Sequence, residues 1–283
     1  MQNIKQAIEE NSALVQVRDV VYFGANLKVV KYKRTVFYKS LWNDALKQFR
    51  GLILDAGYNI VSYPFTKIYN YCIEEQAPAF DDNERVTAVR KINGFMVAMT
   101  AYQGELLVST TGSLDSKFVD YAHDLLNDTI KREVLANPDY TFLFEACHPE
   151  DPHIIPEDAG LYFLGKRRKF IGSAIELFHD FKGNTQFVQQ FNDVSFKMIR
   201  QIANEAKHEG YVIYSKDGTR ATKIKSKHYL VSKAIARASA DKLSRLAVDE
   251  EFFGLMDAIK QRNGFSELSE QERLAFIRGY FNG

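Results

Sequence analysis

The sequence predicts an α+β protein with antiparallel sheets, closed by a small C-terminal helical domain. Short apolar/polar alternating runs punctuated by glycine turns fill much of residues 14–111, which is how half-buried strands read. Three of the six prolines (Pro149, Pro152 and Pro156) fall within eight positions and exclude helix or central strand there. Beyond about residue 227 the apolar period becomes helical.

Residues 1–10 read as a short amphipathic helix with Ile4, Ala7 and Ile8 on one face. A strand-like pattern covers 14–38, broken at Gly24-Ala25-Asn26, and a short helix fits 41–48. Residues 50–65 read as two strands joined across Asp55-Ala56-Gly57. Over 86–111 the pattern predicts a hairpin series: a strand to Ile92, a turn at Asn93-Gly94, a strand to Tyr102, a turn at Gln103-Gly104, and a strand to Thr111. A helix at 115–127, a strand at 140–147, a loop at 148–159 and a strand at 160–166 follow. A helix fits 193–207 and a hairpin 210–225, turning at Lys216-Asp217-Gly218. The tail reads as helices at 229–246, 250–260 and 270–280, punctuated by Val248-Asp249 and Asn263-Gly264. The expected domains are 1–230 and 231–283.

Composition removes several classes. Lys+Arg number 37 against 36 Asp+Glu, a net charge of +1, so a nucleic-acid partner has to be argued from local clusters. Cys72 and Cys147 lie far apart and outside any Cys-x-x-Cys pair, which points away from a disulfide framework or zinc site and towards a reducing cytoplasm. The first ten residues hold no apolar signal core, and no stretch approaches the ~18 apolar residues of a membrane span. The expectation is a soluble intracellular protein with no membrane contact and no obligate protein partner. His148 and His153 beside Cys147 lack a fourth ligand, and His123, His179, His208 and His228 are scattered; loop or surface roles are expected.

Alone, Lys91-Ile92-Asn93-Gly94 reads as a solvated strand end beside a common turn. Its company in chain order changes that reading. Arg50-Gly51 opens a strand upstream, and 64–70 reads Pro-Phe-Thr-Lys-Ile-Tyr-Asn. After Lys91 come Ser109–Ser113, Phe142-Leu143-Phe144-Glu145 and 161–165, Leu-Tyr-Phe-Leu-Gly. Glu209-Gly210-Tyr211-Val212, Lys223-Ile224-Lys225 and Tyr229 complete the set. Over residues 50–229 this order resembles the covalent nucleotidyltransferase superfamily of ligases and capping enzymes, and most closely the phage-type RNA ligase 1 family. One departure stands out: the family's Lys-x-Asp-Gly has Asn93 at its third position here, which keeps the turn and a hydrogen-bonding side chain.

The resemblance implies an ATP-dependent RNA ligase that joins 5′-phosphate and 3′-hydroxyl RNA ends, in RNA repair, through a lysyl-AMP intermediate. Lys91 would be the nucleophile, with Lys223 and Lys225 as catalytic cations that also bind the nucleotide. Arg50 and Lys67 would grip the outer phosphates, and Tyr69 and Gly94 would join the ATP site. Glu145 would contact the ribose, and Glu145 with Glu209 would serve Mg2+ or Mn2+. Val212 with an aromatic at Tyr162 or Phe163 would sandwich the adenine; strand alternation puts Val212 opposite Glu209 unless Gly210 introduces a bulge. A phage-encoded enzyme acting in the host cytoplasm fits this picture.

Physical chemistry supports the same roles. A lysine with a pKa near ~10.4 is protonated at neutral pH and cannot attack phosphorus until burial or neighbouring cations remove its proton. Lys223 and Lys225 alternate onto one strand face and are placed to do this. A glutamate such as Glu145 in an apolar strand calls for a cation or metal. DNA ligases and capping enzymes resemble this core but generally carry a five-stranded OB fold after the last lysine motif, whereas this tail reads as helices, so RNA ligase is preferred. The third reading is a non-catalytic module binding nucleotide or RNA ends; intact Lys91, Lys223 and Lys225 weigh against it.

Overall fold

The computed structural model describes residues 3–177, 181–246, 248 and 252–282. Helix α1 (Ile4–Glu10) starts where the Asn3 side chain accepts from the Lys5 amide. The hairpin β1 (Val15–Tyr22) and β2 (Ala25–Tyr32) is followed by short helices α2 (Arg34–Tyr38) and α3 (Asp44–Gln48). With β3 (Arg50–Asp55) and β4 (Ile60–Ser62) the hairpin forms a first sheet, ordered β1-β2-β3-β4. Then come β5 (Tyr69–Asn70), β6 (Arg85–Arg90), β7 (Phe95–Tyr102) and β8 (Glu105–Thr110). Helices α4 (Lys117–Asp124) and α5 (Asp128–Leu135) precede β9 (Tyr140–Cys147) and β10 (Gly160–Arg168). Strand β11 (Gln190–Ser195), helix α6 (Phe196–Glu205), and the hairpin β12 (Gly210–Ser215) and β13 (Ala221–Lys225) follow.

Strands β10-β9-β7-β8 make the second sheet and β11-β6-β12-β13-β5 the third. All pairings are antiparallel except β13 with β5. The second sheet is buried on both faces, with helices over one and Met96, Ala98 and Leu143 packed on the other. On its helical side, Val97, Met99, Phe142 and Phe144 pack under Val119 of α4 and Ile130 and Val134 of α5. On the third sheet, Val86, Ala88 and Ile213 pack under Phe196, Ile199 and Ala203 of α6, the helical spacing that gives α6 its apolar stripe. The tail comprises α7 (Lys227–Arg237), α8 (Ala240–Ser244), α9 (Phe253–Gln261) and α10 (Glu270–Asn282).

The structure differs from the expected elements in several places. The segment 86–111 is not one hairpin series. Strand β6 pairs with β11 and β12, whereas β7 pairs with β8 and β9, so Asn93-Gly94 is a crossing between two sheets. Gly94 takes that path against the backbone of β9, where an added Cβ would meet the Ala146 carbonyl oxygen at 2.2 Å. Residues 34–38 are helix rather than strand, with Val36 as the single buried anchor. The expected 115–127 helix is α4, and a second helix the sequence reading left out follows it, started by Asn127, which accepts from the Thr129 and Ile130 amides. Strand β11 replaces the start of the 193–207 helix, and Ser239 caps α8 and splits the first tail helix. The boundary expected at 230/231 falls inside α7. Asp249, Glu250 and His179 lie outside the described residues. None of the described helices is long and apolar enough to cross a membrane.

Candidate active site

The crossing from β6 to β7 puts Lys91 at the base of a cleft between the second and third sheets. Its amide donates to the Gly210 carbonyl (2.8 Å), pinning it to β12. Its ammonium donates to Glu209 Oε2 at 2.9 Å and reaches the Ile92 carbonyl at 3.4 Å. Lys225 meets the other Glu209 oxygen, Oε1, also at 2.9 Å. Glu209 is thus 2 % exposed yet bridges two lysines, the pairing that a buried carboxylate needs.

Asn93 completes the group. Its Oδ1 accepts from the Ile155 amide (2.9 Å), which orients the amide so that Nδ2 donates to Glu209 Oε2 at 2.8 Å. An aspartate held by the same Ile155 amide would instead face Glu209 with a second negative charge. Gly94 donates its amide to Glu145 Oε1 at 3.2 Å, so the tetrapeptide 91–94 contacts both carboxylates expected from the sequence.

Gly210 resolves the alternation conflict between Glu209 and Val212. No register shift occurs in β12; instead Gly210 takes φ +132°, where side chains are disfavoured, and a Cβ there would meet the Ile224 carbonyl oxygen at 2.0 Å. Val212 therefore lines the cleft beside Lys223, its partner across the strands, while Glu209 reaches Lys91. A similar device turns Arg50 inward. The β2/β3 register shifts where Arg50 pairs with Lys31, and Gly51 has φ +87°.

Arg50, Lys67, Lys223 and Glu145 line the same cavity as Lys91. Lys67 is nearly buried; it pairs with Glu74 and lies 4.9–5.1 Å from the rings of Phe37, Trp42 and Tyr69. Among the described residues, neither Arg50 nor Lys223 has an ion-pair partner within 4.0 Å, so the cavity wall carries surplus positive charge.

A profile of the RNA ligase family matches residues 48–234, most of the chain and every site residue expected from the sequence. The chain belongs to this RNA ligase family, the phage RNA ligase 1 type. Among curated proteins it is 22% identical to a viral protein provisionally named a bifunctional polynucleotide kinase/RNA ligase, from Autographa californica nuclear polyhedrosis virus. That match covers 84% of this chain and 39% of the relative, so the chain spans about two fifths of the relative's length. An archaeal ATP-dependent RNA ligase superposes with a TM-score of 0.59 at 16% identity, over 96% of this chain and 75% of the other. A protein of Aquifex aeolicus, provisionally named an ATP-dependent DNA ligase, superposes with a TM-score of 0.57 at 18% identity, over 99% and 78%. At such identities the likeness is one of fold, an antiparallel nucleotidyltransferase-type architecture.

Within this RNA ligase fold, the three expected aromatics, Phe163, Tyr162 and Tyr69, do not line the cavity. Phe163 pairs with Phe144 and stacks on Phe181 (ring centroids 4.1 Å), inside the core of the second sheet. Tyr162, opposite Glu145, faces the cleft side but packs among Val89, Ile92 and Tyr214 and donates to the Asp158 carbonyl. Leu164, displaced by a bulge at Gly165, lines the cavity with Val212. Tyr69 supports Lys67 and is not itself a cavity residue. The sequence reading missed Tyr32, Phe37, Met96 and Tyr214 in the cavity wall. Gly165 after an apolar run was the available signal for Leu164; Tyr32 and Phe37 carried none, since β2 and α2 meet the site only through tertiary packing.

The electrostatics correct one expectation. Burial pushes the Lys91 ammonium down, but Glu145 and Glu209 more than offset it, leaving its pKa above the ordinary lysine value. Lys91 is therefore an ammonium in this arrangement rather than an amine deprotonated by neighbouring cations. Lys223 is the lysine brought down, to about 7, by burial and by Lys67, Arg50, Lys225 and Lys91. Burial holds Glu145 above the usual carboxylate range, whereas Lys91 and Lys225 outweigh burial and hold Glu209 below it.

These carboxylates bear on metal binding. Among the described residues Glu145 has one oxygen accepting from Gly94 and its other without a hydrogen-bond partner, a donor free for a magnesium or manganese ion. Both oxygens of Glu209 are engaged by Lys91, Asn93 and Lys225, so Glu209 does not fit as a ligand unless those bonds open. No cluster of three His, Cys, Asp or Glu capable of holding a metal exists among the described residues.

Proposed function

We propose that the chain is an ATP-dependent RNA ligase that joins 5′-phosphate to 3′-hydroxyl RNA ends by way of AMP carried on Lys91. The observation that supports this reading is the cavity in which Lys91 shares a wall with Arg50, Lys67, Lys223 and Glu145, one lysine set among several basic side chains. A triphosphate lying there meets Arg50 and Lys223, whose charges are unpaired, and can displace Glu74 from Lys67. Its negative charge also draws Lys225 away from Glu209.

In the first step Lys91 gives up its ammonium proton to solvent, and its nitrogen forms a bond to the α-phosphorus. The bond from that phosphorus to the bridging oxygen breaks, and pyrophosphate leaves against the surrounding cations. In the second, an oxygen of an RNA 5′-phosphate displaces Lys91 and carries off the AMP. In the third, a 3′-hydroxyl oxygen attacks the 5′-phosphorus and expels AMP, leaving a phosphodiester. A divalent cation held by Glu145 and the phosphates would supply charge neutralisation on the triphosphate. Val212, Leu164 and Tyr214 provide an apolar wall for the adenine in this reading. The free thiols of Cys72 and Cys147 suit a reducing cytoplasm, and RNA repair is the role that end-joining serves there.

Incubation with α-labelled ATP, magnesium and a 5′-phosphorylated RNA oligomer tests the proposal. We expect labelled protein and sealed RNA from the wild type and neither from Lys91→Ala. Sealing by Lys91→Ala sinks the assignment. Preference for GTP would favour a capping-type enzyme, and sealing confined to DNA would favour a DNA ligase.

A further inference from the structure

Residues 20–43 contain no aspartate or glutamate, yet they hold Lys28, Lys31, Lys33, Arg34 and Lys39 in a chain whose net charge is only +1. The structure gathers three of these cations around α2. Lys33, Arg34 and Lys39 are exposed, and among the described residues none of them has a carboxylate partner within 4.0 Å. Between them Tyr38 is 78% and Phe37 48% exposed, set edge to face with ring centroids 5.6 Å apart. The ledge is fixed from beneath: Val36 is fully buried in the core of the first sheet, and its carbonyl accepts from the Leu41 amide. It is also continuous with the candidate active site, because Phe37 lines the Lys91 cavity and lies 5.1 Å from Lys67.

Exposed aromatics on a rigid support, interleaved with cations that no carboxylate neutralises (Lys33 donates to the Ala13 carbonyl at 2.9 Å), match the two needs of single-stranded nucleic acid. Unpaired bases offer π-faces to stack on the rings, and the phosphodiester backbone requires fixed positive charge. Bases in a duplex are already stacked and do not offer those faces. We propose that the α2 ledge, with Tyr38 at its centre and Lys33, Arg34 and Lys39 around it, docks the unpaired end of the RNA strand being sealed. The inference rests on the ligase reading for the identity of the strand; the ledge leads that strand past Phe37 to Lys91.

The test separates RNA docking from chemistry. Binding of the full chain to a short 5′-phosphorylated single-stranded RNA is measured by fluorescence anisotropy across a salt series, and Lys91 labelling from ATP is measured without RNA. Tyr38→Ala should weaken RNA binding roughly tenfold, and Tyr38→Phe should restore it. Replacing Lys33, Arg34 and Lys39 together by alanine should lower the salt slope by about 2. Lys91 labelling should be unchanged in all these variants, whose positions are solvent-exposed. A duplex of the same sequence should bind less well than the single strand. RNA affinity unmoved by Tyr38→Ala and by the triple variant overturns the proposal, as does a wild-type chain that binds no RNA. A halving of the wild type's sedimentation mass on Tyr38→Ala also overturns it, by making the ledge a self-association face. If the wild type takes up no label but Tyr38→Ala still loses RNA, the ligase reading falls and the ledge stands.

Discussion

Lys91, Glu209, Asn93 and Lys225 form one electrostatic unit, and the direction of its pKa shifts predicts how AMP transfer depends on pH. Lys91 lies above the ordinary lysine value, so the reactive amine becomes more populated as pH rises through the neutral and alkaline range, and single-turnover AMP transfer should climb with it. Glu209→Gln removes one of the carboxylates that hold the proton. The pH profile should then shift to lower pH while the maximal rate falls, because Lys225 and Lys91 lose their shared anchor. A profile that stays in place would show that Glu209 does not govern the nucleophile. The same pairing links to stability. Glu209, with its pKa lowered, contributes above the unfolded value of ~4.3, and its contribution is lost as pH falls through its folded value. Lys91, with its pKa raised, contributes fully below ~10.4 and loses that contribution as pH rises through its folded value. The set at 91, 209, 223 and 225 was legible in the sequence through its collinear resemblance to the RNA ligase family. That a carboxylate rather than a cation lies nearest Lys91 was not, because residues 118 positions apart are brought to 2.9 Å by tertiary packing.

At the scale of elements, glycines decide which way the site residues face. Gly210 lets Glu209 and Val212 serve one cleft, and Gly51 and Gly165 sit at bulges that re-aim Arg50 and Leu164. Gly210→Ala would combine a disfavoured φ of +132° with a Cβ 2.0 Å from the Ile224 carbonyl oxygen. We expect it to lose about 2–4 kcal/mol of stability in urea unfolding and to abolish AMP uptake. Wild-type unfolding and labelling in this variant would show that the kink is dispensable. Periodicity predicted strands β3, β4, β7–β9, β12 and β13 because each buries one face or a continuous run. Strand β11 was misread: only two of its six positions, Phe191 and Val194, are apolar and both are partly exposed, so nothing local distinguished it. The helix α2 was misread for a related reason, since five residues with one buried position carry no period.

Across the whole molecule, the tail has its own apolar cluster and is anchored to the sheets that carry the candidate site. Ile235, Leu255, Ile259 and Leu274 pack with Ile154 and Ile155 of the proline-rich loop and with Tyr229. Lys225 lies 4.6 Å from the ring of Tyr229, so the last site cation abuts the start of the tail. Leu255→Ala empties a fully buried position and should cost about 2–5 kcal/mol. Hydrogen exchange should show the loss in α7, α9 and α10 while β7 and β9 keep their protection. Uniform loss across the chain would make tail and sheets one cooperative unit. By itself the sequence determined the residue types available, namely a lysine beside an Asn-Gly turn, two glutamates in apolar company and a basic strand, together with an antiparallel α+β class and a helical tail. Those follow from residue type and from periods of two and 3.6, which are local properties. Only the tertiary structure decided that Lys91 lies at a crossing between sheets, that Glu145 and Glu209 raise its pKa, and that α2 borders its cavity. Such facts depend on contacts between segments far apart in sequence, and no local pattern encodes a distance.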